Sequence, residues 1–130
     1  MDMGNEINEM KDCDELIAIW IKAQALDPEA EDYEKASWAV DELLEMEQKN
    51  PEGVWALIPK IIEYDSSEKT LGALGAGLIE DLLVHYGADF IDRIVAFAST
   101  CESFKKALAY TFLDEDDVPP EVFNKFKEAS

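Results

Sequence analysis

Residues 70–87 read TLGALGAGLIEDLLVHYG, and the fold turns on how this stretch is packed. At 100° per residue, Leu71, Leu74, Leu78, Ile79, Leu82, Leu83 and Tyr86 fill one broad face of a helix. The reverse face carries Ala73, Gly77 and Val84, small and apolar rather than solvated. A helix that is apolar on both sides is buried on both sides. Gly72, Gly75 and Gly77 weaken it by up to about 1 kcal/mol each relative to alanine, so close approach of neighbouring helices is expected to offset them. A phosphate loop is the competing reading of these glycines. It lacks the Lys-Ser/Thr ending and the preceding strand, and it runs into Glu80 and Asp81, which repel phosphate. Ser66 or Ser67 is the expected cap of this helix, and Gly87 is its expected C′ terminator.

Helical spacing continues on either side. Downstream, a helix is expected from about Ala88 to Ala98, with Phe90, Ile91, Ile94, Phe97 and Ala98 inward. Another follows from about Glu102 to Phe112, and a short last one opens at Pro119-Pro120 with Val122, Phe123 and Phe126. Upstream, Asn50-Pro51 starts a helix on Val54, Leu57, Ile58 and Ile61, with a kink or restart expected at Pro59 because an interior proline costs about 3 kcal/mol. The preceding helix, about Ala30 to Lys49, puts Tyr33, Ala36, Ser37, Val40, Leu43 and Leu44 inward. The first carries Cys13, Leu16, Ile17, Trp20 and Ile21 behind an Asp12–Glu15 capping box, and Asp27-Pro28 ends it. Alternation by twos is nowhere sustained. The expected fold is all-α: one compact antiparallel domain of six to seven helices over residues 1–130, in a bundle or a short HEAT-like stack, with residues 1–11 as a flexible N-terminal segment.

Thirty acidic residues against eleven Lys and Arg leave a formal charge of −19, in a chain that is still 48% hydrophobic. That much apolar matter supports a packed core rather than disorder. With Arg93 its one arginine, the chain is not a binder of nucleic-acid phosphates. No secretory pattern opens it, and its longest uncharged run, Thr70 to Ile79, is ten residues where a membrane helix needs about 20. Cytoplasmic location without membrane contact is the expectation. Cys13 and Cys101 are isolated and read as reduced thiols packed as small apolar groups.

Glu80 projects from the small reverse face and needs a partner. Arg93, about one helix later, is the candidate across an antiparallel pair, with Asp89 competing for it at i−4. Asp81 and His85 stand at i, i+4, where a carboxylate can orient the one imidazole for acid–base work. The plainer account is structural: His85 lies in a last turn, where the dipole and Asp81 favour its charged form. No nucleophile setting accompanies them, so the chain is read as non-enzymatic and without a cofactor. One His and two distant Cys make no zinc tetrad, and Asp114–Asp117 lacks the turn glycine of a calcium loop. No metal site is expected, and these four carboxylates are assigned to capping the last helix.

The inner stripe of the second helix excludes Trp38, which falls among Glu34, Asp41, Glu42 and Glu45. A tryptophan in a carboxylate patch is an anchor for a basic protein partner. The alternative is that the N-terminal segment or the first helix covers it. Residues 1–52 hold sixteen acids and four lysines, so this part of the chain is the more acidic.

From Leu71 onward the text resembles a family of short, mostly bacterial proteins of unknown function, with an A-G-P-L-E-D-L-L-like helix, a His-containing turn ending in Gly, then F-I-D-x-I/V and a later F-x-x-x-L. The matching positions are Ala76, Gly77, Glu80, Asp81, Leu82, Leu83, Gly87, Phe90, Ile91, Asp92, Phe104 and Leu108, with Trp55 upstream. Leu78 stands where the pattern commonly has Pro, which argues against a sharp helix start there. The resemblance covers about residues 51–113 and implies a helical domain without an activity; Trp55, Gly77, Glu80, Asp81, His85, Gly87 and Arg93 are read as structural. Three functions are therefore carried forward: a protein-interaction module, including an immunity-type protein that binds a basic partner; an assembly subunit acting as a homo-oligomer; and a small-ligand binder or enzyme using Glu80, Asp81 and His85.

Overall fold

The computed structural model describes residues 2–27 and 29–130, with side chains from Asp14 onward except that of Pro28. The expectations for Cys13 and for Pro28 as a helix breaker lie outside the described residues. The chain is all-helical, with no strand among them. Its elements are α1 (Asp2–Ala25), α2 (Glu31–Lys49), α3 (Pro51–Tyr64), α4 (Glu68–Ala73), a π-helical turn (Leu74–Ile79), α5 (Glu80–Thr100), α6 (Glu102–Leu108) and α7 (Pro120–Ala129). Since α1 begins at Asp2, Asp12 stands inside it and not at its N-cap. The side chains of residues 1–13, on which the expected N-terminal segment rests, are outside the described ones.

Local chemistry sets several boundaries. Asn50 accepts the Gly53 N–H at 3.1 Å and caps α3 ahead of Pro51. Of the kink or restart expected at Pro59, the restart does not occur: α3 runs through it as one helix. Its buried stripe of Val54, Leu57, Ile58, Ile61 and Ile62 holds the helix across the missing hydrogen bond. Ser67 caps α4 by accepting the Thr70 N–H, and Asp65 takes the Thr70 hydroxyl at 2.7 Å and the Ser67 N–H at 3.0 Å. These donors hold the Asp65 carboxyl below its ordinary value. The last helix is N-capped by Pro119 with no side-chain hydrogen bond, so Asp114–Asp117 do not cap it. Asp114 instead closes its own turn, accepting the Asp116 and Asp117 N–H groups.

From Glu68 to Thr100 the chain is one long helical path through the core, α4, π turn and α5 end to end. It does not stop at Gly87. Tyr86 takes φ −137° and ψ 29°, which kinks the path, and no glycine has positive φ among the described residues. Gly87 is small for a packing reason, because a Cβ there would stand 3.0 Å from Val122 of α7. On one flank of the path α1 packs against α2, α3 and α4; on the other α6 contacts α4, the π turn and α5, while α7 lies along α5. Leu74, Ile79, Leu82, Leu83 and Ile94 are fully buried between them.

The glycines divide by role. A Cβ on Gly75 would come within 2.0 Å of the Ala107 carbonyl oxygen, so the α6 backbone lies directly on that residue. The Gly75 carbonyl, in the π turn, accepts the buried Thr111 hydroxyl at 2.7 Å. Gly72 would meet the Tyr110 ring at ordinary contact distance, and a Cβ on Gly77 meets nothing within 4 Å. The packing expected of all three therefore holds strictly for Gly75, while Gly77 faces open space. Gly75→Ala is expected to destabilise the fold by about 1–3 kcal/mol or more through overpacking. Gly77→Ala should leave stability unchanged or raise it by up to about 1 kcal/mol, by restricting the unfolded chain. Urea unfolding midpoints of the two variants check this opposition.

Candidate functional site

Helix α2 buries Ala36, Ala39, Leu43 and Glu47. This stripe is rotated from the expected one, since Leu44 is 43% exposed and Glu47 is 2% exposed. The rotation leaves Trp38 on the outer face, 45% exposed. Glu34, Asp41, Glu42 and Glu45 are exposed on the same face. Lys49 pairs with Glu45 at 2.6 Å, a contact between two well-exposed side chains that adds little stability. No hydrogen bond or ion pair engages Glu34, Asp41 or Glu42 through its side chain among the described residues. The five residues read as a recognition surface thus lie together, turned away from the core.

The buried side of α2 meets α5 through a group that sequence reasoning missed. Glu47 Oε1 lies 2.8 Å from His85 Nδ1, and the Tyr86 hydroxyl donates to the Gln48 carbonyl at 3.2 Å. His85 is thus tied to Glu47 rather than to its sequence neighbour Asp81. The imidazole is raised above its ordinary value, first by the Glu47 hydrogen bond, then by the charges of Glu47 and Asp81, with burial opposing. The Asp81 carboxyl is pushed up by burial first and next by the Glu47 charge; Glu80 adds to this and His85 opposes it. Glutamate is seldom buried without a partner, but its period on α2 gives no hint of a partner 38 residues away. A signal existed only in His85, whose need for a carboxylate Asp81 seemed to meet.

Glu80 and Arg93 do not pair. Arg93 makes a bidentate contact to Glu52 of α3, 2.5 and 2.8 Å, and stacks 4.6 Å from the centre of the Phe90 ring. The planar guanidinium satisfies both neighbours at once. Glu80 instead accepts the Phe112 backbone N–H at 3.1 Å, tying down the chain after α6. Trp55 packs edge-on or tilted against Phe90, Phe97 and Phe104, with ring centres 5.8–6.0 Å apart. These rings pack Trp55 against the core. Cys101 is a free, half-buried thiol. No group of three or more His, Cys, Asp or Glu side chains is arranged to hold a metal among the described residues, and no helix there is long and apolar enough to cross a membrane.

Residues 26–130 match the model of a family of unknown function (DUF6869), and the chain belongs to that family. The match extends well beyond the stretch on which the resemblance rested, and it assigns no activity. No curated protein and no solved structure matches the chain.

The His85–Glu47 contact has a pH signature. Because the native pKa of His85 lies above the ordinary 6.5, its contribution is full below the unfolded value and is lost as pH rises through the native one. Unfolding free energy should therefore fall modestly as pH rises through that native value, because solvent screens a half-exposed imidazole. Glu47→Gln should flatten this limb of the stability profile, measured as urea midpoints across the pH range.

Proposed function

We propose that the chain is a protein-binding module of the cytoplasm, of the immunity type, that receives a basic protein segment on the outer face of α2. The observation that carries this reading is the exposure of Trp38 within a ring of carboxylates. Large aromatic side chains contribute most to binding when a partner desolvates them, and the surrounding charge selects what approaches. Glu34, Asp41 and Glu42 offer acceptors to Lys and Arg, and the formal charge of −19 steers cationic surfaces toward the protein while repelling acidic ones. On this reading the chain binds rather than catalyses, and the Glu47–His85 contact ties the end of α2 to α5.

A basic amphipathic Lys/Leu peptide serves as the probe, titrated at low and at moderate salt with bound fraction read by anisotropy of a peptide label. Trp38→Ala is expected to weaken binding about tenfold and Glu42→Lys at least about threefold. Trp38→Ala should retain its deficit as salt rises, whereas the Glu42→Lys deficit should shrink with screening. Equal binding by wild type and both variants would overturn the reading, since attraction to net charge alone would then account for it.

A further inference from the structure

Beside the inner edge of α2 a crevice of about 110 Å³ opens between α1, α2 and the central path. Trp20 and Gln24 line it from α1, Val40 and Leu44 from α2, and Gly77, Leu78 and Asp81 from the π turn and the start of α5. Its walls are mostly apolar, with one carboxylate, Asp81. That carboxylate is half-buried and makes no hydrogen bond or ion pair among the described residues, since the imidazole four residues on is taken by Glu47. The space beside Gly77 is open, and the residue there has no Cβ to fill it. The geometry points to a binding site for an alkylammonium group, whose carbon chain lies along Trp20, Val40, Leu44 and Leu78 and whose ammonium meets the Asp81 carboxylate.

Three observations converge on that chemistry. An apolar slot of this size accommodates a small group of about four carbons rather than a larger ligand. A carboxylate at its end, unpartnered and partly desolvated, favours a cation over a neutral or anionic head group. The local field has the same sign: Glu47 and Glu80 both push the Asp81 carboxyl up, and the single opposing group, His85, is already engaged. An ammonium would relieve that repulsion. A bare metal ion fits less well, because the slot presents one carboxylate and hydrocarbon walls where a hard cation needs several oxygens. The same chemistry is carried by a free aliphatic amine and by a protein lysine. The inference stands apart from the Trp38 face, since it uses a different flank of α2.

The test is a titration with n-butylammonium, followed by amide-resolved NMR at Gly77, Leu78 and Asp81 and at the Trp20 indole N–H. Saturable shifts confined to these groups are expected, weakened about tenfold or more by Asp81→Asn and abolished by Gly77→Leu, which fills the slot. Melting temperatures of both variants show that they remain folded. Should either fail to fold, n-butanol on the wild-type protein decides, because it has the chain without the charge. Absent shifts, equal shifts with n-butanol, or undiminished binding by folded Asp81→Asn would overturn the inference. Nα-acetyl-lysine methylamide, run in parallel, separates the sources: binding of both ligands assigns the site to lysine side chains, and binding of butylammonium alone assigns it to free amines. The amine carries no peptide and is read at Trp20 and Gly77, so its failure leaves the Trp38 reading standing, and failure of the basic peptide leaves this one standing.

Discussion

The contact of the Ala107 carbonyl with Gly75 is the constraint on which the rest of the domain depends. A residue with any side chain at 75 would push α6 away from the central path. With α6 seated, the Thr111 hydroxyl reaches the Gly75 carbonyl, whose regular helical hydrogen bond the π turn disturbs. The segment after α6 is then fastened at two further points: Tyr110 donates to Glu68 at 2.7 Å, and Phe112 donates its N–H to Glu80. One close approach thus accounts for the early end of α6 at Leu108, the buried threonine and the partner of Glu80. The chain is directed from there towards α7, whose Val122 packs on Gly87, the second place where a missing side chain lets two elements meet.

Periodicity carried most of this architecture. Helices were legible because Leu16, Ile17 and Trp20, or Val54, Leu57, Ile58 and Ile61, recur at the helical spacing, and all of them are buried. The apolar reverse face of 70–87 misled: Ala73 and Gly77 are only half-buried and Val84 is exposed, so this side is not packed as its composition implied. What periodicity does not encode is which helices meet and at what height. The pairings Glu47–His85, Gln48–Tyr86 and Glu52–Arg93 join residues 38 to 41 positions apart, and the sequence offered nearer partners for both His85 and Arg93. A local i, i+4 contact loses when a tertiary partner can provide better geometry, as the bidentate, ring-stacked Arg93 illustrates. The π turn was equally hidden. Three glycines within six residues announce close approach but do not say that Gly75 makes it while Gly77 does not.

The exposure of Trp38 was legible for a different reason. Trp38 is an odd residue in its own neighbourhood, an indole among carboxylates, and that is a local property that no distant contact can supply or conceal. The shift of the α2 stripe, which exposes Leu44 and buries Glu47, was not legible, because it follows from how α2 packs on α1 and α3 and where its end meets His85. Burying a carboxylate in a protein already rich in negative charge is unfavourable unless it is compensated. Here the compensation is His85, whose imidazole keeps one side to Glu47 and the other towards water.

Negative charge in this chain is consequently of two kinds. On the outer face of α2 it is solvated, spread around an indole, and free to meet a cation brought by another molecule. On the inner edge it is partly desolvated and in short supply of counter-charge: Glu47 has taken the imidazole, and Asp81 is left facing an apolar slot. Solvated carboxylates attract at a distance and discriminate weakly, whereas a carboxylate at the end of a hydrocarbon slot discriminates by shape and charge together. The two flanks of one helix therefore meet positive charge by different physics. Val40 and Leu44, which wall the slot, are carried on the same rigid element as Trp38. The packing of α2 on α1 and α3, with the Glu47–His85 contact pinning its end to α5, fixes the shape of one flank and the orientation of the other.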